Sequence, residues 1–242
     1  MPSLLPLRSG LAMLALTLTL AGCAVAPTVE TDKATLQKIK HVAILDLQMP
    51  DLVTIQNAGL LGGFGAIGGA IQGGSNADKS KAFTAATAQR KPSLYEALVS
   101  AVAQSLKESG FEVTIVQGQK PKKAADGKSD DYSDIHVDGD AFLVVWAPLK
   151  GYVSPPQSLS YQPQVMLRAR LVDAATKKDL YFKTFFVGYK VAVIAQEDIP
   201  AAPGHRYKSF DSLLANAGDA ENVLINCEAI GARKIAADLK AN

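Results

Sequence analysis

The chain has 242 residues, 25 of them Lys or Arg and 23 Asp or Glu, for a formal net charge of +2. That length suits one domain with a sizeable core, and a composition 48% apolar and 20% charged excludes a disordered chain. So even a charge balance leaves no basic footprint for nucleic acid, and no nucleic-acid partner is expected.

Residues 1–22 have the parts of a secretory leader: Arg8 as the positive end, then an apolar stretch over residues 11–20 that closes on small residues. The apolar run is about ten residues, too short for a membrane span of roughly 20. The leader ends in Leu20-Ala21-Gly22-Cys23. This resembles the lipobox of bacterial envelope lipoproteins, in which the chain is cut before the cysteine and that residue receives fatty acyl chains such as palmitate. The resemblance implies a mature protein that starts at Cys23 and is held to a membrane by lipid. Ala24 rather than Asp follows the cysteine. By similarity to Gram-negative lipoproteins, this implies delivery to the outer membrane, with the domain on the periplasmic side. Two acyl chains are enough for stable anchoring. Lipidation also consumes one of the two cysteines, leaving Cys227 alone and excluding a disulfide within the chain. Cys227 is expected to be a buried thiol on a helix, acting as a small apolar residue.

Residues 23–37 read as a lipidated tether and 38–242 as a single α/β domain. Within the domain, Val42-Ala43-Ile44-Leu45 reads as a strand buried on both faces. Residues 52–77 carry no charge, and residues 57–77 form a glycine-rich segment that is either disordered or helical. Residues 78–90 are polar and alanine-rich, loop with some helix. Ser93-Leu94-Tyr95-Glu96 is a capping box, and Leu94, Leu98, Val102 and Leu106 form one stripe behind it. Gly110 closes that helix, and a strand over residues 111–116 follows, so strand, helix and strand make a parallel crossover unit. Residues 118–134, with four lysines and four aspartates, read as a solvated loop.

Residues 141–146 read as a buried strand and 148–163 as a turn-rich link. Val165, Leu167, Ala169 and Leu171 alternate with Met166, Arg168 and Arg170, the half-buried strand pattern. A turn over residues 173–178 and a return strand over 180–187 complete an antiparallel hairpin, which residues 189–195 could extend. A short helix spans residues 210–217. A final one capped by Asp219 carries Val223, Leu224, Cys227, Ile230, Ile235 and Leu239 on one face. The expected core draws on Val42, Ile44, Leu98, Val102, Val144, Trp146, Leu167, Leu171 and Ile230.

The sequence carries no catalytic constellation, and no catalytic residue is expected. Gly63-Phe64-Gly65-Ala66-Ile67-Gly68 matches the dinucleotide fingerprint in form, but Asp78 comes too soon for the acid expected about 20 residues on, and Gly69, Gly73 and Gly74 would weaken the helix it needs. Residues 68–73 have P-loop spacing, but Gly74-Ser75 stands where lysine and a hydroxyl residue are required. His41, His136 and His205 are far apart, none with another ligand type at metal spacing, so no metal and no cofactor are expected. Asp138, Asp140, Glu197 and Asp198 are read as turn and cap residues rather than paired carboxylates, and Asp173 as turn chemistry.

Gly65, Gly69 and Gly73 recur every four residues, and Gly59 and Gly63 repeat the spacing. On a helix this makes a side-chain-free ridge that another helix or a membrane-embedded partner can approach closely. With Phe64, Ile67 and Ile71 they form the candidate membrane or partner contact. Such glycine zippers resemble segments of bacterial envelope lipoproteins. An apolar surface loop, or a segment folded over the sheet, is the competing reading.

The order of elements gives a single mixed sheet, crossover unit plus antiparallel hairpin, flanked by helices. The Leu-x-Asp-Ala-x-Thr-Lys-Lys-x-Leu run at residues 171–180 resembles the hairpin of curli-secretion and penicillin-binding-protein-activator lipoproteins, and the N-terminal domain of the Tol translocation protein is similar. That resemblance implies a non-enzymatic scaffold, assembly or regulatory factor of the outer membrane, bound to an envelope protein or to copies of itself. The alternative is an oligomeric channel or permeability factor that inserts the glycine-rich segment.

Overall fold

The computed structural model describes residues 33–57, 65–127, 129–155, 160–189, 197–200 and 205–240. A one-turn helix α1 (Lys33–Leu36) leads into strand β1 (His41–Asp46). Leu36 and Ile39 are already buried in the core, so packing begins inside the stretch read as a tether. Val42 to Leu45 are fully buried in β1, as a strand with parallel neighbours on both sides and both faces covered requires.

Ser93 and Glu96 form the capping box that opens helix α3 (Leu94–Glu108), with Leu94, Leu98, Val102 and Leu106 buried along its inner stripe. Gly110, at φ +96°, turns the chain after the helix. Strand β3 (Glu112–Gln117) then pairs parallel with β1, from His41 opposite Glu112 to Asp46 opposite Gln117. The crossover unit is therefore present. Two elements lie within it that the sequence pattern does not separate: strand β2 (Thr54–Asn57) and helix α2 (Gly65–Thr87).

Residues 118–140 are more ordered than their composition suggests. Strands β4 (Lys122–Lys123) and β5 (Asp130–Asp131) pair antiparallel, fastened by Lys123 to Asp130 at 2.7 Å and by Lys122 to Asp134. The segment ends by laying Tyr132 and Ile135 on Phe142, Val144 and Val172, the sheet face opposite the helices. Two apolar residues among charges were enough to bind a polar stretch to the sheet.

Strand β6 (Ala141–Ser154) is the long central strand, and it runs through the region expected to be a link. Its first part pairs with β1 and its last part with β2, both parallel, and its whole length pairs antiparallel with strand β7 (Gln162–Asp173). The register shifts between Trp146 and Leu149, where Pro148 has no N–H for the ladder. Strand β8 (Asp179–Gly188) closes the expected hairpin with β7, and strand β9 (Glu197–Ile199) pairs parallel with β8. Asp173 is a turn residue as expected: its Oδ1 accepts the N–H groups of Ala175 and Thr176. The extension suggested for residues 189–195 lies, after Tyr189, outside the described residues.

Among the described residues the sheet thus has seven strands in the order β3-β1-β6-β7-β8-β9, with β2 beside β6 in line with β1. It is mixed and flanked by helices, an α/β domain. After the short helix α4 (Phe210–Ala215), helix α5 (Ala217–Lys240) packs on α3 and on the hairpin. It starts two residues before Asp219, which therefore sits in its first turn rather than at the cap. Gly231 is where α5 comes closest to β7. A Cβ there would stand 2.1 Å from Cδ1 of the fully buried Leu167. Of the expected core, Val42, Ile44, Leu98, Val102, Leu167 and Leu171 are buried on the helix side. Val144 belongs to the cluster on the other face, with Trp146 half-buried against it, and Ile230 is only partly buried on α5.

Candidate functional site

The glycine-rich contact proposed from sequence falls partly in view. Cys23, Gly59, Gly63 and Phe64 lie outside the described residues. Gly65, Ile67, Gly69, Ile71 and Gly73 lie in the first turns of α2, so the backbone there is helical. This first half has no support from propensity, since each glycine costs about 1 kcal/mol in a helix. The second half supplies an anchor. Asn76 Oδ1 accepts the Asn57 N–H at 3.0 Å, and Ser80 Oγ accepts the Ile55 N–H at 2.9 Å. Phe83 is fully buried, its ring 6.2 Å from that of Tyr152. The segment read as loop with some helix is therefore helix as far as Thr87, docked along β2. Among the described residues, no helix is long and apolar enough to cross a membrane.

A second feature went unnoticed in the sequence: a cluster of buried charges between the sheet, α3 and α5. Lys150 on β6 and Glu228 on α5 are 5% and 0% exposed. Lys150 Nζ is 3.0 Å from Asp51 Oδ1 and 4.0 Å from Glu228 Oε1. Asp51 in turn accepts the N–H groups of Leu94 and Tyr95, each at 2.9 Å. These are the first free donors of α3, at its positive end, so one carboxylate caps a helix and holds an ammonium. Among the described residues neither Glu228 oxygen has a hydrogen-bond partner. Burial pushes its carboxyl up to about 8, against the opposing pull of Lys150, so it is mostly protonated at neutral pH. On the same helix Glu221, also buried, pairs with Arg90, and burial raises its carboxyl too.

The chemical capacity of this cluster is limited by access. A fully buried acid can hold a proton but cannot deliver it to a substrate it never meets. Cys227 is buried as expected, its thiol pushed up to about 12 by burial and then by Glu228, which makes it a poor nucleophile. The cluster pins α3 and α5 to the strand between them.

The histidines are not brought together into a ligand set. His41 Nε2 is 3.3 Å from Thr114 Oγ1, His136 is exposed, and His205 lines a separate 240 Å³ cavity with Cys227. Among the described residues no group of His, Cys, Asp and Glu could hold a metal ion. Asp140 serves neither a helix cap nor a local turn through its side chain: it accepts the N–H groups of Lys40 at 2.7 Å and His41 at 2.9 Å and so holds the start of β1. Glu197 and Asp198 lie in β9.

The fold and site define an α/β domain with a mixed sheet and a helical glycine-rich segment. No family model matches the chain, and no curated protein matches it. Several solved structures are similar in chain trace. One is a protein of Xanthomonas campestris in the DUF330 family, 8% identical with a TM-score of 0.38, covering 82% of this chain and 81% of that one. Another is a protein of Caulobacter crescentus described as a lipoprotein, 11% identical with a TM-score of 0.31, covering 67% and 96%. A third is the PelC dodecamer of Paraburkholderia phytofirmans, 13% identical with a TM-score of 0.29, covering 76% and 87%. These are likenesses of overall trace and bring no residue role with them.

Proposed function

We propose that this chain is a non-enzymatic envelope lipoprotein, anchored in the outer membrane by lipid on Cys23, that works by contact with an envelope protein or with copies of itself. The observation that carries the reading is Leu20-Ala21-Gly22-Cys23 at the end of a short apolar leader. The contact surface is the glycine-rich segment. Its helical part, from Gly65, precedes Asn76, where the described bonds from α2 to the sheet begin. A close-packed partner is what such a helix lacks by itself. The buried acid Glu228 fits a structural role, because it is fully buried and closed to a substrate.

Labelled palmitate tests the anchor. The wild type should take up label and fractionate with the outer membrane, whereas Cys23→Ala should remain an uncut, unlabelled precursor. Label entering that variant would refute the anchor. Replacing residues 59–74 with a short Gly-Ser linker tests the contact: cross-links to the partner or to other copies should vanish while thermal stability stays nearly intact. Loss of folding in that variant would place the segment in the core. Particle size in mild detergent then separates a protein-binding factor from the channel alternative, which requires a large ring.

A further inference from the structure

An apolar cleft of about 300 Å³ opens beyond the carboxyl end of β1, on the face of the sheet away from the helices. Leu47, Met49, Pro121, Val144 and Trp146 line its walls, and Lys120 and Asp130 stand among them. That volume is at the lower end of the range for small-molecule sites, which are mostly apolar with a few placed polar groups.

The topology explains why a cleft forms here. The strands β3, β1 and β6 are adjacent and parallel. The connection from β1 to β3 passes over the helix side through α3, whereas the connection from β3 to β6 passes over the other side through β4, β5 and Tyr132. Chain therefore leaves the carboxyl ends of β1 and β3 toward opposite faces, and a crevice remains between them. In open α/β sheets this switch point is where ligands bind.

The side chains define what would fit. Trp146 is stacked on Phe182, ring centroids 6.3 Å apart, which fixes the indole in place. Met49 is an exposed large apolar residue at the cleft, 37% accessible. Of the charges nearby, Asp130 is held by Lys123 at 2.7 Å, and Lys122 is occupied by Asp134. Lys120 is exposed and forms no ion pair among the described residues. The cleft thus offers an apolar wall with a single uncommitted positive charge.

We propose that this cleft binds a carboxylate carried on a small apolar body, with the body against Trp146, Val144 and Met49 and the carboxylate at Lys120. Trp146 is the one tryptophan of the chain, so its fluorescence reports on this cleft alone. The full-length chain, held in amphipol, is titrated with octanoate, octylammonium and 2-naphthoate. Octanoate should change Trp146 emission saturably and bind about tenfold more tightly than octylammonium, the worth of one ion-pair preference of about 1.4 kcal/mol. Naphthoate binding better than octanoate would assign the body as aromatic, and the reverse as aliphatic; either supports the site. In Lys120→Glu, an exposed substitution, the preference should invert toward octylammonium. Met49→Asp, also exposed, should weaken octanoate without altering thermal unfolding. Equal binding of the two octyl probes, an unchanged preference in Lys120→Glu, or no saturable signal would each overturn the proposal.

Discussion

The ammonium of Lys150 lies 3.0 Å from Asp51 Oδ1, across 99 positions of sequence, and this contact ties the middle of the sheet to the first turn of α3. Asp51 serves two elements through its bonds to Lys150 and to the N–H groups of Leu94 and Tyr95. Asp51→Ala removes the helix cap and leaves Lys150 buried with only a largely neutral acid beside it. The expected cost is about 3–5 kcal/mol, the range for breaking a buried pair. Lys150→Met keeps the volume and leaves Asp51 on its cap, so its cost should stay below about 1.5 kcal/mol. Urea unfolding at pH 7 checks both, and the reverse order would mean that Lys150, not Asp51, organises the junction.

Glu228 should make stability depend on pH. Burial raises the carboxyl from 4.5 to about 8, so between those values the folded protein holds a proton that the unfolded chain has released. Its contribution is therefore fully present below about 4.5 and is lost as pH rises through about 8. Glu228→Gln removes this titration. Relative to the wild type, the variant should gain up to about 4 kcal/mol between pH 5 and pH 9. Parallel stability curves for the two proteins over that interval would show that Glu228 stays ionised in the fold.

Gly231 is required by the approach of α5 to β7. Alanine is normally worth about 1 kcal/mol over glycine inside a helix. Here its Cβ would stand 2.1 Å from Cδ1 of the fully buried Leu167, which would have to shift to admit it. Gly231→Ala should therefore destabilise, by about 1–3 kcal/mol. Pairing it with Leu167→Ala should recover part of that loss in a double-mutant cycle, whereas strictly additive effects would place the strain elsewhere.

Leu98 stands fully buried on the inner stripe of α3. Truncation to alanine should cost about 2–5 kcal/mol in denaturant unfolding. A loss under about 0.5 kcal/mol would contradict the packing of that helix.

The legible parts of the chain are those whose signal is local. The capping box at Ser93, the four-residue stripe from Leu94 to Leu106 and the alternation from Val165 to Leu171 depend on neighbours a few positions apart, so periodicity alone determined the helix, the hairpin and the crossover between them. The turn role of Asp173 is of the same kind, assigned from its own flanking residues, whereas Asp140 bonds Lys40 and His41, 99 to 100 positions away, which no local pattern reveals.

The buried charges depended on a change of phase that no local pattern reveals. Before Pro148, Leu143 and Val145 face the helices; after the register shift, Lys150 and Tyr152 do. Because successive side chains alternate faces, one irregularity moves Lys150 from the face its spacing would give it into the core. There it meets Glu228, an acid that sequence spacing leaves on the same α5 face as many apolar residues but cannot pair with a strand 78 positions away. The cleft at Trp146 arises likewise, from two connections passing over opposite faces of one sheet. Sequence determined which residues could pair with their near neighbours; only the folded sheet decided which distant charges would share a dry interior, because strand register and crossover side are set by the whole chain at once.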